Sequence, residues 1–195
     1  MSNQHSDELL GTIRKLTRLI GVNDYLTSPD DSAVWMADMY EEVFAGTRTD
    51  AGTLLAPLIP LTAAEQRVPQ LVMLSSITMT SMCEHHFVPF YGFVDVAYLP
   101  GEHIVGIGQF TQLVRTLMRR PQLQERLTHQ IAAHIQQALQ PKGLAVHVIA
   151  RHFCEAMRGN NEVNQIFNTY VFEGELAQDG PHRSAYLESI SKTVR

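Results

Sequence analysis

The chain is poor in cysteine, in charge and in long apolar runs. Only two of its 195 residues are cysteines, Cys83 and Cys154, and with no secretory leader to place them in an oxidising compartment a structural disulfide is not expected. Charged residues reach only 18%, against about 25% in ordinary globular domains, which predicts that other copies of the chain cover part of the surface. Positive charge is not in excess either. The formal net charge of −5 offers no global attraction for nucleic acid or an anionic membrane, so an anionic ligand needs a local cationic pocket. No segment reaches 18 consecutive apolar residues, and Met1 to Thr17 lacks the basic-then-apolar order of a leader; the sequence reads as a soluble, cytoplasmic protein.

With 45% apolar residues, the chain can bury one sizeable core. Leu9, Leu10, Ile13, Leu16, Leu19 and Ile20 recur at helical spacing and stop at Gly21, which predicts a helix over 7–20. Ser28-Pro29-Asp30-Asp31 caps a second helix through Trp35, Met36, Met39, Tyr40, Val43 and Phe44, closed by Gly46. The stretch 47–70 has three prolines and no clean period, the pattern of a loop crossing the surface. From Leu71 the period becomes two: Leu71 to Met82 and Phe90 to Leu99 read as paired strands with Cys83-Glu84-His85-His86 in their connection. Gln109 to Arg119 is helical in spacing, Pro121 opens a longer helix that Pro141 and Gly143 stop, and Leu144 to Ala150 and Ile166 to Phe172 are two further strands. The class is α+β. Residues 1–50 are expected as an N-terminal helical region and 51–195 as the catalytic domain, the whole forming one structural unit.

Six of the nine histidines fall into two groups. His5, His134 and His182 lie in polar surroundings and read as surface residues, whereas His85, His86 and His152 sit within three residues of a cysteine. Catalytic zinc commonly has three protein ligands and an open position for water, with Cys₂His among the known sets. Cys83 and His86, three apart at a strand end, and Cys154, from a distant strand end, supply that set once, and His85 and His152 stand beside them as acid–base groups. The plainer alternative, a small buried cysteine beside surface histidines, suits either half alone.

Three runs carry a resemblance: Ser81-Met82-Cys83-Glu84-His85-His86-Phe87-Val88-Pro89-Phe90-Tyr91-Gly92, then Arg119-Arg120-Pro121-Gln122-Leu123-Gln124-Glu125-Arg126-Leu127-Thr128, then His152-Phe153-Cys154 with Met157-Arg158-Gly159. In order and spacing, from about Ser28 to Gly174, they resemble the GTP cyclohydrolase I family. The resemblance implies the tunnelling fold, an antiparallel sheet with two helices on one face, closing into a pentameric barrel and stacking into a decamer. It implies Zn²⁺ on Cys83, His86 and Cys154, proton transfer by His85 and His152, and guanine gripped by Glu125 with Gln124 beside it. The implied reaction, a step of tetrahydrofolate biosynthesis, opens the imidazole ring of GTP at C8, releases formate and closes a dihydropterin, 7,8-dihydroneopterin triphosphate.

The chain departs from the family where the triphosphate is held. The family's serine–lysine pair and the arginine three residues later fall on Gly108, Gln109 and Gln112, and a further arginine falls on Asp31; Arg158 remains. Each charge-assisted phosphate bond contributes roughly 1.5–3 kcal/mol, so losing three or four weakens triphosphate binding by several powers of ten. Three readings follow: a GTP cyclohydrolase, a diverged enzyme acting on a purine or pterin without a triphosphate, and a non-catalytic zinc-binding partner. Residual acid–base histidines speak against the third, because a closed structural site has no use for them.

Overall fold

The computed structural model describes residues 6–68, 70–158 and 161–192; His5, Gly159 and Asn160 lie outside the described residues. The chain divides into two compact units, Met1–Ala45 and Gly46–Arg195.

The first unit is a helix pair, α1 (Asp7–Leu19) and α2 (Pro29–Val43). Ser6 caps α1 through the Leu9 amide, and Ser28 caps α2 through the Asp31 amide ahead of Pro29 in the first turn. Arg14 and Asp30 join the two helices at 2.7 Å. The buried contact differs from the one expected. Ile13 packs with Ala33 and Ala37, while Leu19 and Trp35 of the predicted apolar stripes are 74% and 65% exposed in this chain. Two alanines allow the helix backbones to approach closely, and that closeness selects the buried face over side-chain size.

In the second unit the stretch 47–70 is not a plain surface loop. Ala51 and Leu55 are buried in the main core, β1 (Ile59–Pro60) forms a ladder, and α3 (Ala63–Arg67) starts at a Thr62–Glu65 capping box. A five-stranded sheet follows, containing β2 (Val72–Cys83) and β3 (Pro89–Leu99). The short β4 (His103–Ile104) pairs with β1. Then come α4 (Ile107–Met118), β5 (Pro121–Gln122), α5 (Gln124–Leu139), β6 (Gly143–His152), the turn α6 (Phe153–Ala156), β7 (Phe167–Gly174) and α7 (Pro181–Lys192). Strand order is β5-β2-β3-β6-β7, antiparallel except for the two-residue parallel β5–β2 ladder.

Pro121 therefore enters a strand rather than opening α5, which begins three residues later. The correction has a physical reason: the Met82↔Pro121 and Cys83↔Gln122 pairing fastens this segment to the end of β2. α4 and α5 lie on one face of the sheet, packing Phe110, Leu113, Leu117, Leu127, Ile131 and Ile135 against Val94, Val146 and Val148. α7, whose sequence shows little apolar periodicity, was not expected; its Tyr186 seals Ala97, Leu99 and Ala145 on the opposite face. His134 and His182 are half-buried rather than exposed.

A polar pin crosses the buried sheet. Asp95 Oδ1 accepts the Ser76 amide at 2.9 Å, where a bulge puts Ser76 at φ 60°, and Asp95 Oδ2 accepts from His147 Nδ1 at 3.0 Å. Both side chains are almost fully buried. Asp95→Ala removes the acceptor of the Ser76 amide and of His147 Nδ1 and is expected to destabilise the fold by about 3 kcal/mol, read as a lower denaturation midpoint.

Candidate active site

Register brings the chemistry together. Phe90 lies opposite His152 across the β3–β6 ladder, so the open ends of β2 and β6 flank the start of β3, and β5 places the start of α5 beside the end of β2. The connection between β2 and β3 is a tight turn in which the Cys83 amide donates to Val88 O at 2.9 Å and the Phe87 amide to Cys83 O at 2.9 Å, with Phe87 at φ 53°. Glu84 in this turn makes a two-pronged ion pair with Arg126 of α5, whose Nη2 lies 3.1 Å from Glu84 Oε1. The pair ties the histidine-bearing turn to the helix and holds the Glu84 carboxyl below the usual carboxylate range.

The ligand atoms of Cys83, His86 and Cys154 all lie within 4.8 Å of one another. Zinc–sulfur bonds of about 2.3 Å and zinc–nitrogen bonds of about 2.0 Å need such a spacing, and two soft thiols with one imidazole suit zinc. The residues therefore fit the ion. Both cysteines are free thiols, Cys83 buried and Cys154 half-buried. Burial, followed by the adjacent Cys83 sulfur, pushes the Cys154 thiol up, which is the cost that a bound cation offsets.

A cavity of about 160 Å³ opens beside these ligands, lined among others by Cys83, His85, Gln124, Glu125, His152 and Cys154. His152 is held between Phe90, stacked parallel at 4.6 Å between ring centres, and Phe167, edge-on at 5.1 Å. Burial pushes its imidazole below the ordinary histidine value, against the opposing pull of Glu125 and Glu155. Gln124, 3% exposed, bonds His152 Nε2 through Oε1 at 2.8 Å. Glu125 is exposed at the first turn of α5, where the helix N-terminus favours its charge.

Of the residues singled out in the sequence, Cys83, His85, Gln124, Glu125, His152 and Cys154 share this cavity, and His86 completes the ligand cluster. Arg158 is exposed and does not line it. Gly108 and Gln112 lie on the exposed side of α4, Gln109 donates to Ala56 O at 3.0 Å, and Asp31 serves the cap of α2, accepting from Ser28 Oγ at 2.7 Å. The cavity also takes in Gln122 and Glu155, given no role from the sequence, and Phe167 and Thr169, from the stretch 160–170 whose departure from the family is expected to reshape the pocket wall. Gln122 carries a signal in retrospect, a polar residue at a buried position, and Glu155 carries one as the residue next to a ligand.

Comparisons with known proteins identify the family. The family model for GTP cyclohydrolase I matches residues 11–191. GTP cyclohydrolase 1 of Mycobacteroides abscessus is 36% identical over 183 residues, covering 93% of this chain and 87% of that protein. The Streptococcus thermophilus protein of that name is 37% identical over 189 residues, covering 96% and 97%, and the Rickettsia felis one is 34% identical over 196, covering 98% and 100%. The sheet and its helix layer make a mixed α/β protein, and the family match makes it an enzyme. The chain belongs to the GTP cyclohydrolase I family.

Among the described residues no helix is long and apolar enough to cross a membrane. If the three-residue cluster holds zinc, protein purified without chelator carries about one ion per chain by elemental analysis, and Cys83→Ser or Cys154→Ser drops that to below about a tenth.

Proposed function

We propose that the chain opens the imidazole ring of GTP, forming 7,8-dihydroneopterin triphosphate and formate, with the unit Gly46–Arg195 as its catalytic part. One observation carries the reading: three metal-type ligands lie within 4.8 Å of one another, and two of them line a cavity that also holds two histidines and two carboxylates. Zinc on Cys83, His86 and Cys154 supplies Lewis-acid activation of a water when bound. The chain's own residues do the rest. Glu125 accepts the N–H groups on the guanine edge, a pairing that other bases would leave unsatisfied. His152, held in place and kept largely neutral by burial, exchanges a proton with the opening ring, and the exposed His85 orients water or substrate at the mouth. Arg158, the remaining cation of the family's phosphate set, meets the phosphates. Assembly as a homo-oligomer, pentamer or decamer, in the cytoplasm accords with the low charged fraction.

A second reading draws support from the cavity lining itself. Glu125 and Glu155 face it and no lysine or arginine of the described residues lines it, an environment that suits a purine or pterin lacking the triphosphate. Turnover separates the two readings. A GTP cyclohydrolase yields a fluorescent pterin from GTP after oxidation, with kcat/KM far above that for guanosine, and Glu125→Gln lowers it by about a hundredfold or more. Equal kcat/KM for GTP and guanosine selects the second reading; no product from GTP, guanosine or guanine by metal-loaded protein overturns both.

A further inference from the structure

The bond between Gln124 and His152 belongs to a closed circuit whose direction can be worked out atom by atom. The Gln124 side-chain nitrogen lies 3.0 Å from Val148 O, 3.2 Å from Phe167 O and 3.2 Å from Thr169 Oγ1. Two of these neighbours are backbone carbonyls, which only accept, so the amide must turn its NH₂ toward them. Thr128 Oγ1 donates to Gln124 O at 2.8 Å and stands 2.6 Å from Thr169 Oγ1. With its own hydrogen committed, Thr128 accepts from Thr169, and the Thr169 oxygen shares with the two carbonyls the two hydrogens of the Gln124 amide. The sequence of donations runs from the Gln124 side-chain amide through Thr169 and Thr128 back to the Gln124 backbone carbonyl, and reversing the amide would set Oε1 against the carbonyls of Val148 and Phe167.

This circuit decides what His152 meets. Gln124 Oε1 is aimed at His152 Nε2, and an amide oxygen can only accept, so Nε2 must carry the hydrogen. We propose that Gln124, expected from the resemblance to bind substrate, is instead a positioning residue that holds His152 as its Nε2–H tautomer, flat against Phe90 and edge-on to Phe167, and that it acts on the reaction through His152 rather than by touching substrate. The proposal rests on the proton-transfer role given to His152 above, and goes beyond it by assigning the tautomer and the residue that imposes it. An imidazole without a fixed orienting partner divides its population between two tautomers and loses its aim.

The test joins kinetics to spectroscopy on the metal-loaded, full-length protein. Histidine ¹⁵N spectra in the solid state, with His152 identified by the signal lost in His152→Asn, are expected to show a protonated Nε2 and a bare Nδ1 in the parent protein. In Gln124→Leu the same signals shift to a mixture of tautomers, kcat falls about thirtyfold, and KM and metal content stay within about threefold. Thr169→Val, which keeps the side-chain shape and opens the circuit, produces a smaller loss of kcat in the same direction and covers the case in which Gln124→Leu does not fold. An unchanged tautomer signature in a folded variant, or a loss confined to KM, overturns the assignment. If the parent protein turns over none of the substrates, the spectra still decide the tautomer, so failure of this inference and failure of the proposed function remain distinguishable.

Discussion

Everything at this site depends on two strand ends meeting. Ten consecutive pairs join β3 to β6, with Phe90 opposite His152 at the last of them, and the β2–β3 ladder fixes Cys83 relative to that same pair. The sulfurs of Cys83 and Cys154, 71 positions apart by number (154 − 83), come together because backbone hydrogen bonds of the sheet leave them no other place. Such a ladder is stiff, since a one-residue slip would exchange the two buried faces of β6 and take Leu144, Val146 and Val148 away from the α4–α5 layer. The ligand cluster thus inherits its precision from the core.

Around this anchor, burial and polarity are matched locally. A core of valine, leucine and isoleucine on the α4–α5 face stops at the cavity, where Gln122, Gln124 and Thr128 are buried with polar atoms. Buried amides and hydroxyls cost free energy unless paired, and Gln124 and Thr128 are paired with each other, with carbonyls of β6 and β7, and with Thr169. The result is a rigid wall beside an exposed rim that carries Glu125, His85 and His86. Recognition groups face solvent while the groups that orient them do not.

Much of this was legible in the sequence because strand alternation, helical spacing and the cysteine–histidine clusters are local patterns. The paired strands, α4, the body of α5 and the ligand triad were all readable there. What escaped depended on contacts between distant residues. Pro121 looks like a helix start, and only its pairing with Met82 makes it a strand. The alanines of α2 look weaker than Trp35 as core candidates, yet helix proximity buries them. Tyr186 announces no amphipathic helix, because one aromatic residue suffices to close the far side of the sheet. Nor does any local signal say that Thr169 and Thr128, 41 positions apart, share a hydrogen bond.

The segment from Pro121 to Glu125 is strand, joint and helix start in five residues, and its side chains alternate between wall and rim: Gln122 and Gln124 inward, Glu125 outward. Lengthening or shortening that joint by a single residue would rotate α5 by about 100° and exchange the hidden amide for the solvent-facing carboxylate. Point substitution is a graded change here, whereas insertion or deletion is all-or-nothing, so divergence in this stretch is confined to swapping residues at constant length.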